Sequence, residues 1–557
     1  MANTSGHSAR DRFARAVQFA RAGDRQKAIE LFEGLIGTDA PQVQVLSALI
    51  RLNLDEGHLV AAADYMMNVA TRVPEPAQIL ADAADIYGRA DAFDKADVAF
   101  EKLHKELPGY ATGYFNHGFL LRNAGRFEDA LKAYDQALAL NIDGPEEVWL
   151  NKAVIYSDHL RQDDRAEQCL QSALKINPTY VPALLNYANL HEERSNRDAA
   201  AELYRRVADI APGNAIALAR LLNLSTATEI NDGLLANATT LAKVKNAAPR
   251  EASSLNFALG KAHDARGHYN KAFKCYQTAN RTASSIAPPY DRNESDAFFA
   301  AIRDTFSTHW FKNLPVISDA QPTFICGMFR SGSTLIEQVI AAHPDATPGG
   351  ELEYFVSLVS RDLASFPASI TDKTAADLTP MADAYISLLE NRFGNSGLIT
   401  DKRPDNFLYI GLIKTLFPNA RFIHTTRHPL DNCLSVYFLE LADSMAYARD
   451  LLDIGHYYVQ QHRLMAHWKA LFPDDIFEMH YDTFVETPRD QTKALLEFLG
   501  LPWHEGCMEF HKLRNTVKTV SYWQVREPLY TRSSGRHKHY DEHLTPLRDY
   551  LAKASLL

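Results

Sequence analysis

Residues 327–334 combine two glycines with charged and hydroxyl side chains, between an apolar run that ends at Cys326 and another that begins at Leu335. This order predicts a strand, a loop and a helix. Backbone N–H groups at the start of a helix are unsatisfied and carry the positive end of its dipole, so they bind anions. Four side chains add donors to the same place: Arg330, Ser331, Ser333 and Thr334. The loop therefore predicts a site for an oxygen-rich anionic group that needs no bridging magnesium ion.

The two glycines, Gly327 and Gly332, have the spacing of a nucleotide P-loop. Ser333, however, stands where a nucleoside triphosphatase has the lysine that reaches the β- and γ-phosphates. An ordinary ATPase or a nucleotide kinase, which also relies on magnesium, is therefore disfavoured. A plain Gly/Ser turn is the remaining alternative, but such a turn needs neither an arginine nor three hydroxyls.

A second segment with anion-binding residues follows a later apolar strand. Arg427 leaves the end of this strand, and Ser435 lies eight residues on, in a helix predicted to begin near Pro429. Ser435 would then stand about one and a half turns into the helix, so that both side chains can reach one phosphate beside the first loop.

Together the two segments resemble the sulfotransferase family over about residues 320–540. The donor of that family is 3′-phosphoadenosine 5′-phosphosulfate (PAPS). The resemblance implies that Arg427 and Ser435 bind its 3′-phosphate and that no metal takes part. It also implies that the 5′-phosphosulfate is bound by the first loop: Arg330, Ser331, Gly332, Ser333 and Thr334.

Within this family the motifs look most like those of tyrosylprotein-type enzymes, because a Gly-Gly-Glu sequence ends at Glu351 and an Asp-Lys-Arg-Pro sequence surrounds Lys402. The resemblance implies Glu351 as the base and Lys402 as the acid. A carboxylate that accepts the acceptor hydroxyl's proton, opposite a lysine that neutralises the bridging oxygen, suits direct in-line transfer. Glu353 and His343 remain alternatives for the base.

The same resemblance extends to three later positions and gives Arg330 a catalytic as well as a donor-binding role. Ser521 corresponds to a catalytic serine that contacts the leaving group, and Arg536 to a late basic residue on the donor phosphates. Tyr481 corresponds to a tyrosine near the 3′-phosphate, although a buried tyrosine with one hydrogen bond is an alternative.

The first half of the chain contains an internal repeat of alanines at a spacing of 34 residues: Ala28, Ala62, Ala96 and Ala130. A bulky residue follows each alanine by four positions, which places a small and a large side chain on one helical face. Glycines precede the repeats and prolines end them, so the pattern resembles the tetratricopeptide repeat over about residues 10–285, with a departure at 214–249. Stacked repeats leave a concave groove, which predicts binding of a protein or peptide.

The overall composition indicates which classes of partner and which cellular compartment are expected. The formal net charge of −11 over 557 residues argues against general nucleic-acid binding, which favours a basic surface. No apolar stretch is long enough to span a membrane, and no secretory signal is visible. Five cysteines at distant positions show no metal or redox spacing, so we expect the reducing cytoplasm.

These features predict a multidomain chain with an all-α tetratricopeptide repeat solenoid at 10–285, a helical linker at 286–320 and an α/β P-loop-like sulfotransferase domain with a parallel sheet at 321–557. The expected activity is transfer of a sulfuryl group from PAPS to a hydroxyl acceptor, with the repeats recruiting the acceptor or a partner. A peptide tyrosine, a glycan and a small metabolite are the open alternatives for the acceptor. An inactive repeat scaffold is the alternative. The linker is predicted to contain one helix, Glu294–Trp310. The predicted strands are Thr323–Cys326, Gly397–Thr400, Arg421–Thr425 and Ile476–His480.

Overall fold

The computed structural model describes residues 8–557 except 195, 245–247, 313, 395–396, 514–524, 526 and 531–532. Ser521 therefore lies outside the described residues. Internal contacts divide the chain into two compact units, Met1–Leu190 and His191–Leu557. This division differs from the domain boundaries suggested by the repeat pattern, which stay a prediction.

The first unit is built from helices, and consecutive helices pack in pairs from α1–α2 to α9–α10. The helices that begin in this unit are α1 (Ala9–Arg21), α2 (Arg25–Glu33), α3 (Gln42–Asp55), α4 (Leu59–Ala70), α5 (Ala77–Arg89), α6 (Phe93–Glu106), α7 (Ala111–Asn123), α8 (Phe127–Ala139), α9 (Pro145–Val154), α10 (Asp163–Ile176) and α11 (Val181–Glu193). Ala28, Ala62, Ala96 and Ala130 are each 0% exposed. Phe32 and Tyr134, two of the bulky residues that follow them, are buried as well, so the small and large side chains do share a buried face.

The second unit begins with further helices: α12 (Arg197–Ile210), α13 (Ala215–Leu224), α14 (Asp232–Ala242), α15 (Pro249–Ala265), α16 (Tyr269–Ser284), α17 (Arg292–Thr305) and α18 (Thr308–Lys312). The pair α15–α16 carries the last copy of the sequence repeat. One long helix over 294–310 was the expectation after it, but α17 ends at Thr305. Phe306 leaves helical backbone, with φ −93° and ψ 64°, and buries its ring completely in the core.

Five parallel strands form one sheet in the described part of the chain, in the order β2-β3-β1-β4-β5. The strands are β1 (Thr323–Gly327), β2 (Ala346–Pro348), β3 (Leu398–Lys402), β4 (Arg421–Thr426) and β5 (Ile476–His480). Strand β2 has three half-buried residues and gave no sequence pattern. Strand β3 ends later than predicted, because Asp401 and Lys402 are buried with hydrogen-bond partners and continue it.

Helices cover both faces of this sheet. They are α19 (Ser333–Ala341), α20 (Tyr354–Asp362), α21 (Ala375–Phe393), α22 (Ile410–Leu416), α23 (Pro429–Tyr437), α24 (Leu451–Leu471), α25 (Tyr481–Glu486), α26 (Pro488–Leu499) and α27 (Asp541–Lys553). Successive residues of a strand point to opposite faces. Phe324 and Phe422 accordingly belong to one buried apolar cluster, while Ile325 and Ile423 belong to another. Burial on both faces explains why β1, which is buried along its whole length, has a continuous apolar run at Phe324–Cys326.

A third apolar cluster joins the helix pair α15–α16 to the region around the sheet. It contains Phe257 and Tyr276 from the pair together with Phe438 and Tyr540. Tyr276 and Phe438 stack with their ring centroids 3.9 Å apart. The last copy of the repeat is thus part of the same compact unit as the sheet.

Short turns of other helix types complete the described elements: Ile155–His159, Ala368–Ile370, Pro404–Leu408, Ala446–Arg449, Glu505–Lys512 and Arg536–Tyr540. Among the described residues, no helix combines the length and apolar character that crossing a membrane requires.

Candidate functional site

The chain adds strands on one side of β1 first and on the other side afterwards. This change of side defines the place at the sheet edge where a ligand is expected. Strands β2 and β3 lie on one side of β1, and the next two strands of the chain lie on the other. In open α/β sheets, ligands bind beyond the carboxyl ends of the strands at such a switch point. The loops that follow β1 and β4 meet there, because Gly327 pairs with Thr425 at the ends of these strands.

Gly327 and Ser331 determine the conformation of the loop after β1. Gly327 has φ +151°, and a Cβ at this position would lie 2.3 Å from the carbonyl oxygen of Thr425. The Ser331 hydroxyl donates to the carbonyl oxygen of Met328 at 2.6 Å and lies 2.7 Å from Thr425 Oγ1. Ser331 is 1% exposed, so its hydroxyl fastens the loop to β4.

Helix α19 begins at the end of this loop. Gly332 precedes it with φ +104°, and a Cβ there would lie 2.9 Å from the Tyr481 ring. Ser333 and Thr334 are the first residues of the helix and are buried. Their backbone N–H groups belong to the first turn of a helix, which lacks internal acceptors and favours an anion.

A cavity lies at this point. Its lining includes eight of the nine residues that sequence analysis assigned to the donor; the exception is Ser331, whose hydroxyl is directed into the loop. The lining residues are Arg330, Gly332, Ser333, Thr334, Leu335, Arg427, Ser435, Tyr481, Phe510, Val525, Glu527, Leu529, Tyr530, Ser533 and Arg536.

Three guanidinium groups, those of Arg330, Arg427 and Arg536, line this cavity. Arg330 Nε donates to Ser435 Oγ at 3.1 Å, which connects the first loop to helix α23. Arg427 lies 5.0 Å from the centre of the Tyr481 ring. Burial, and then the neighbouring charge of Arg427, lower the pKa of Arg330 to about 10. Like charges that are buried together favour an anionic ligand.

We call residues 533–540 the strap, because carboxylates hold its backbone and side chains beside the cavity. Asp482 accepts from the backbone N–H of His428 at 2.9 Å and from the Ser534 hydroxyl at 2.5 Å. Burial would raise the pKa of Asp482, but the hydrogen bonds from Ser534 and His428 lower it overall. Asp431 accepts from the backbone N–H groups of Gly535 and His537, both at 2.7 Å.

One group with the spacing of metal ligands occurs among the described residues: His428, Asp431 and His537, whose ligand atoms lie within 4.8 Å of one another. The two imidazole rings stack with centroids 4.4 Å apart and planes inclined by 3°. Asp431 uses both of its oxygens on backbone N–H groups of the strap. The hydrogen bonds of Asp431 to the strap and the stacking of the two rings therefore explain why these three residues lie together.

Glu351 and Lys402, the proposed base and acid, form an ion pair. Lys402 Nζ donates to Glu351 Oε1 at 2.5 Å. Lys402 is 0% exposed at the end of β3, whereas the Glu351 side chain is 35% exposed. Neither residue lines the cavity described above, but both lie at the carboxyl edge of the sheet, where β3 is next to β1.

Backbone contacts hold Glu351 beside β3. The N–H of Gly349 donates to the carbonyl oxygen of Thr400 at 2.8 Å, and the N–H of Lys402 donates to that of Gly350 at 2.9 Å. His343, an alternative base, uses Nε2 to donate to the Pro502 carbonyl at 3.0 Å, and its Nδ1 accepts from the Asp345 N–H at 3.1 Å. Both ring nitrogens of His343 thus serve local structure.

Two buried acids in this region were not identified from the sequence. Glu337 of α19 accepts from the N–H of Gly350 at 3.0 Å, and burial raises its pKa to about 7. Burial also raises the pKa of Asp401 to about 7, although hydrogen bonds from Asn406 and Tyr385 partly oppose this. An acid one helical turn after Ser333, on an otherwise apolar helix, was the available signal for Glu337.

Comparison with known proteins agrees with this architecture. Residues 322–505 match the model of the sulfotransferase family, and residues 115–181 and 160–215 match a tetratricopeptide repeat model. An uncharacterised protein of Aquifex aeolicus is 32% identical over 54% of this chain and 41% of its own length. A putative protein-tyrosine sulfotransferase of Caenorhabditis briggsae is 21% identical over 35% of this chain and 70% of its own length.

Solved structures include the sulfotransferase domain from the Synechococcus PCC 7002 olefin synthase, which is 20% identical over 40% of this chain and 90% of that domain, with a TM-score of 0.31. The chain spans less than half the length of its Aquifex relative. Both predicted parts are nevertheless present. The chain combines a region that matches the tetratricopeptide repeat with a domain that matches the sulfotransferase family.

Proposed function

We propose that this protein transfers a sulfuryl group from PAPS directly to a hydroxyl group of an acceptor. The observation that carries the proposal is the convergence of three arginines and the N-terminus of α19 on one cavity at the switch point of the sheet. The match of residues 322–505 to the sulfotransferase family supports the reaction class.

The donor would be bound by two groups of residues. The first turn of α19, with Arg330, Ser333 and Thr334, offers backbone and side-chain donors to the 5′-phosphosulfate. Arg427 and Ser435 offer a fork of N–H groups and a hydroxyl to the 3′-phosphate. The hydrogen bond from Arg330 to Ser435 connects the two groups, so that each orients the other.

Glu351 and Lys402 would carry out proton transfer and charge neutralisation. Their ion pair gives a lysine with 0% exposure a carboxylate partner, and the Glu351 side chain is 35% exposed, within reach of an acceptor. When Lys402 turns to the bridging oxygen of the donor, the Glu351 carboxylate is released to accept the proton of the acceptor hydroxyl. The direct route needs no covalent intermediate on the protein and no metal ion.

The acceptor is proposed to be a peptide tyrosine or a glycan hydroxyl. The name of the Caenorhabditis relative supports tyrosine. The repeats would recruit the acceptor or a partner protein in their groove, as stacked helical repeats do elsewhere. A cytoplasmic location is part of the proposal, and the five cysteines, all unpaired, are compatible with a reducing compartment.

Calorimetry with 3′-phosphoadenosine 5′-phosphate (PAP), the product of the donor, tests the binding site. We expect the full chain to bind PAP in the absence of magnesium and to bind ATP weakly. Exposed Arg489, which pairs with Glu505, provides a matched control variant, Arg489→Ala, with unchanged PAP affinity. Tight magnesium-dependent ATP binding without PAP binding would instead identify a nucleotide-dependent enzyme.

Mass spectrometry of a cell lysate incubated with isotopically labelled PAPS tests the reaction. We expect the wild-type chain to label acceptors and the Glu351→Ala variant to label none, although it still binds PAP. Glu353→Ala is the matched control, because Glu353 lies two residues away and was the competing candidate for the base. Labelling by Glu351→Ala but not by Glu353→Ala would move the role of base to Glu353.

A further inference from the structure

Asp264 of helix α15 contacts a side chain that lines the donor cavity. Its Oδ2 accepts from Arg536 Nη2 at 2.7 Å, and its Oδ1 accepts from the Tyr540 hydroxyl. Arg536 belongs to the strap and lines the cavity, whereas Asp264 lies at the end of the helix that begins the last copy of the repeat. A residue of the repeat pattern therefore reaches the site through one arginine.

The charges around Arg536 give this contact a function. Arg330 and Arg427 line the same cavity, so Arg536 has two like charges in front of it. Without a counter-charge, mutual repulsion would turn its guanidinium away from the cavity. Burial would lower the pKa of Arg536, but the charge of Asp264, its hydrogen bond and the nearby Tyr276 and Tyr540 together raise it overall.

Packing limits the other positions that Arg536 can take. Its guanidinium lies 5.1 Å from the centre of the Phe438 ring, and Phe438 stacks on Tyr276 of helix α16. The side chains of Asp264 and Arg536 are only 18% and 30% exposed. An ion pair this far removed from solvent is screened less than a surface pair.

We propose that Asp264 is a positioning residue for the donor site, which holds the Arg536 guanidinium towards the cavity so that a third cation meets the donor phosphates. This role rests on the proposed function, because the ligand is the one proposed for that site. It makes the last repeat helix pair a part of the donor site.

The first test compares Asp264→Asn with Asp232→Asn in the full chain. Asp232 is a matched control, since it also pairs with an arginine of the repeats, Arg266, and its side chain is 94% exposed. We expect Asp264→Asn to weaken PAP binding about tenfold, as coupled charged neighbours do, and Asp232→Asn to leave it unchanged. Unchanged PAP affinity in Asp264→Asn overturns the positioning role.

A double-mutant cycle separates positioning from general destabilisation. In an Arg536→Ala background, Asp264→Asn should cause no further loss of PAP affinity, because the guanidinium that Asp264 holds towards the donor phosphates has been removed. Equal losses with and without Arg536 would show that Asp264 acts on the fold. Asp264→Glu keeps the charge and should lose only about threefold, and this variant carries the test if Asp264→Asn does not fold.

Hydrogen exchange of the ligand-free chain tests the role of Asp264 separately from the proposed function. Asp264→Asn should accelerate amide exchange in residues 533–540, and Asp232→Asn should not. If the wild-type chain binds no PAP, the proposed function fails, and the exchange rates alone decide whether Asp264 holds the strap. Equal exchange in both variants overturns the role of Asp264.

Discussion

At the scale of single residues, Arg427 is expected to distinguish the donor from simpler adenylates. Its guanidinium presents a fixed fork of donors that a lysine cannot reproduce. We expect Arg427→Lys to weaken PAP binding about tenfold or more, since a hydrogen bond to a charged group contributes about 1.5–3 kcal/mol. Binding of adenosine 5′-monophosphate, which lacks the 3′-phosphate, should change little.

Calorimetry with both nucleotides measures this difference. Arg421→Lys is the matched control, because Arg421 begins the same strand but donates to the carbonyl oxygen of Phe498 at 2.7 Å, away from the cavity lining. Equal losses of affinity for the two nucleotides would place Arg427 elsewhere than at the 3′-phosphate.

Gly332 combines a left-handed backbone with a close neighbour. Gly332→Ala should lower the free energy of unfolding by about 1–3 kcal/mol through backbone strain, and PAP affinity should also fall, because the new Cβ displaces the Tyr481 ring. Gly500→Ala is the control, since Gly500 has φ +75° and its nearest potential neighbour is 3.9 Å away. Urea unfolding and calorimetry check both effects; a Gly332→Ala variant with normal PAP affinity would contradict the second.

Eight of the nine residues assigned to the donor from motifs and family resemblance line one cavity, but their roles stay predictions. Ser331 could not be distinguished from its neighbours, since its hydroxyl contacts Thr425, 94 residues away in sequence. Glu337 and Asp264 gave no functional signal for the same reason: their importance depends on contacts with Gly350 and Arg536 that only the folded chain creates. The roles of Glu351 and Lys402 stay predictions.

At the scale of elements, a histidine pair between helices α6 and α7 should make the first unit sensitive to acid. His104 Nε2 lies 3.1 Å from His117 Nδ1, and His117 Nε2 lies 2.7 Å from Asp97 Oδ1. Burial, and then the charge of His117, lower the pKa of His104 to about 4. Burial lowers the pKa of His117 too, although Asp97 opposes this and Arg126 adds to it.

The direction of the pH effect follows from these pKa values. Unfolded histidine protonates near pH 6.5, so between about pH 6.5 and 4 the unfolded chain binds more protons than the folded chain. Stability should therefore fall as the pH is lowered through this range. Thermal unfolding at pH 7.5 and 5.0 should show a smaller fall for His104→Gln than for wild type or for His58→Gln, which alters an exposed histidine at the start of α4. An equal fall in all three would exclude the pair as the cause.

Elements with a strong apolar pattern could be predicted closely from the sequence. Strand β5 has the predicted bounds, and β1 and β4 each extend one residue further. Strand β2 was missed, because three half-buried residues carry no alternation. The break after α17 was also missed, since it depends on the burial of Phe306 in the core of the sheet region.

At the scale of the whole molecule, the repeat pattern and the internal contacts divide the chain differently. The sequence pattern joins α15–α16 to the repeats before them, whereas the contacts place this pair with the sheet. A periodic sequence shows which segments form the same local structure, but stability depends on which apolar faces pack together. Phe257, Phe273 and Tyr276 of the pair are buried in one cluster with residues of α23 and α27.

This difference predicts how two fragments behave. A fragment of residues 196–557 keeps α15–α16, and we expect it to unfold cooperatively and to bind PAP with the affinity of the full chain. A fragment of residues 286–557 loses three large aromatic side chains from a shared core, each of which contributes about 2 kcal/mol when buried, and it loses Asp264. We expect the shorter fragment to aggregate or to melt at a lower temperature, with weakened PAP binding. Circular dichroism and calorimetry on both fragments decide the matter: equal melting temperatures and affinities would mean that the sheet domain is complete without the last repeat.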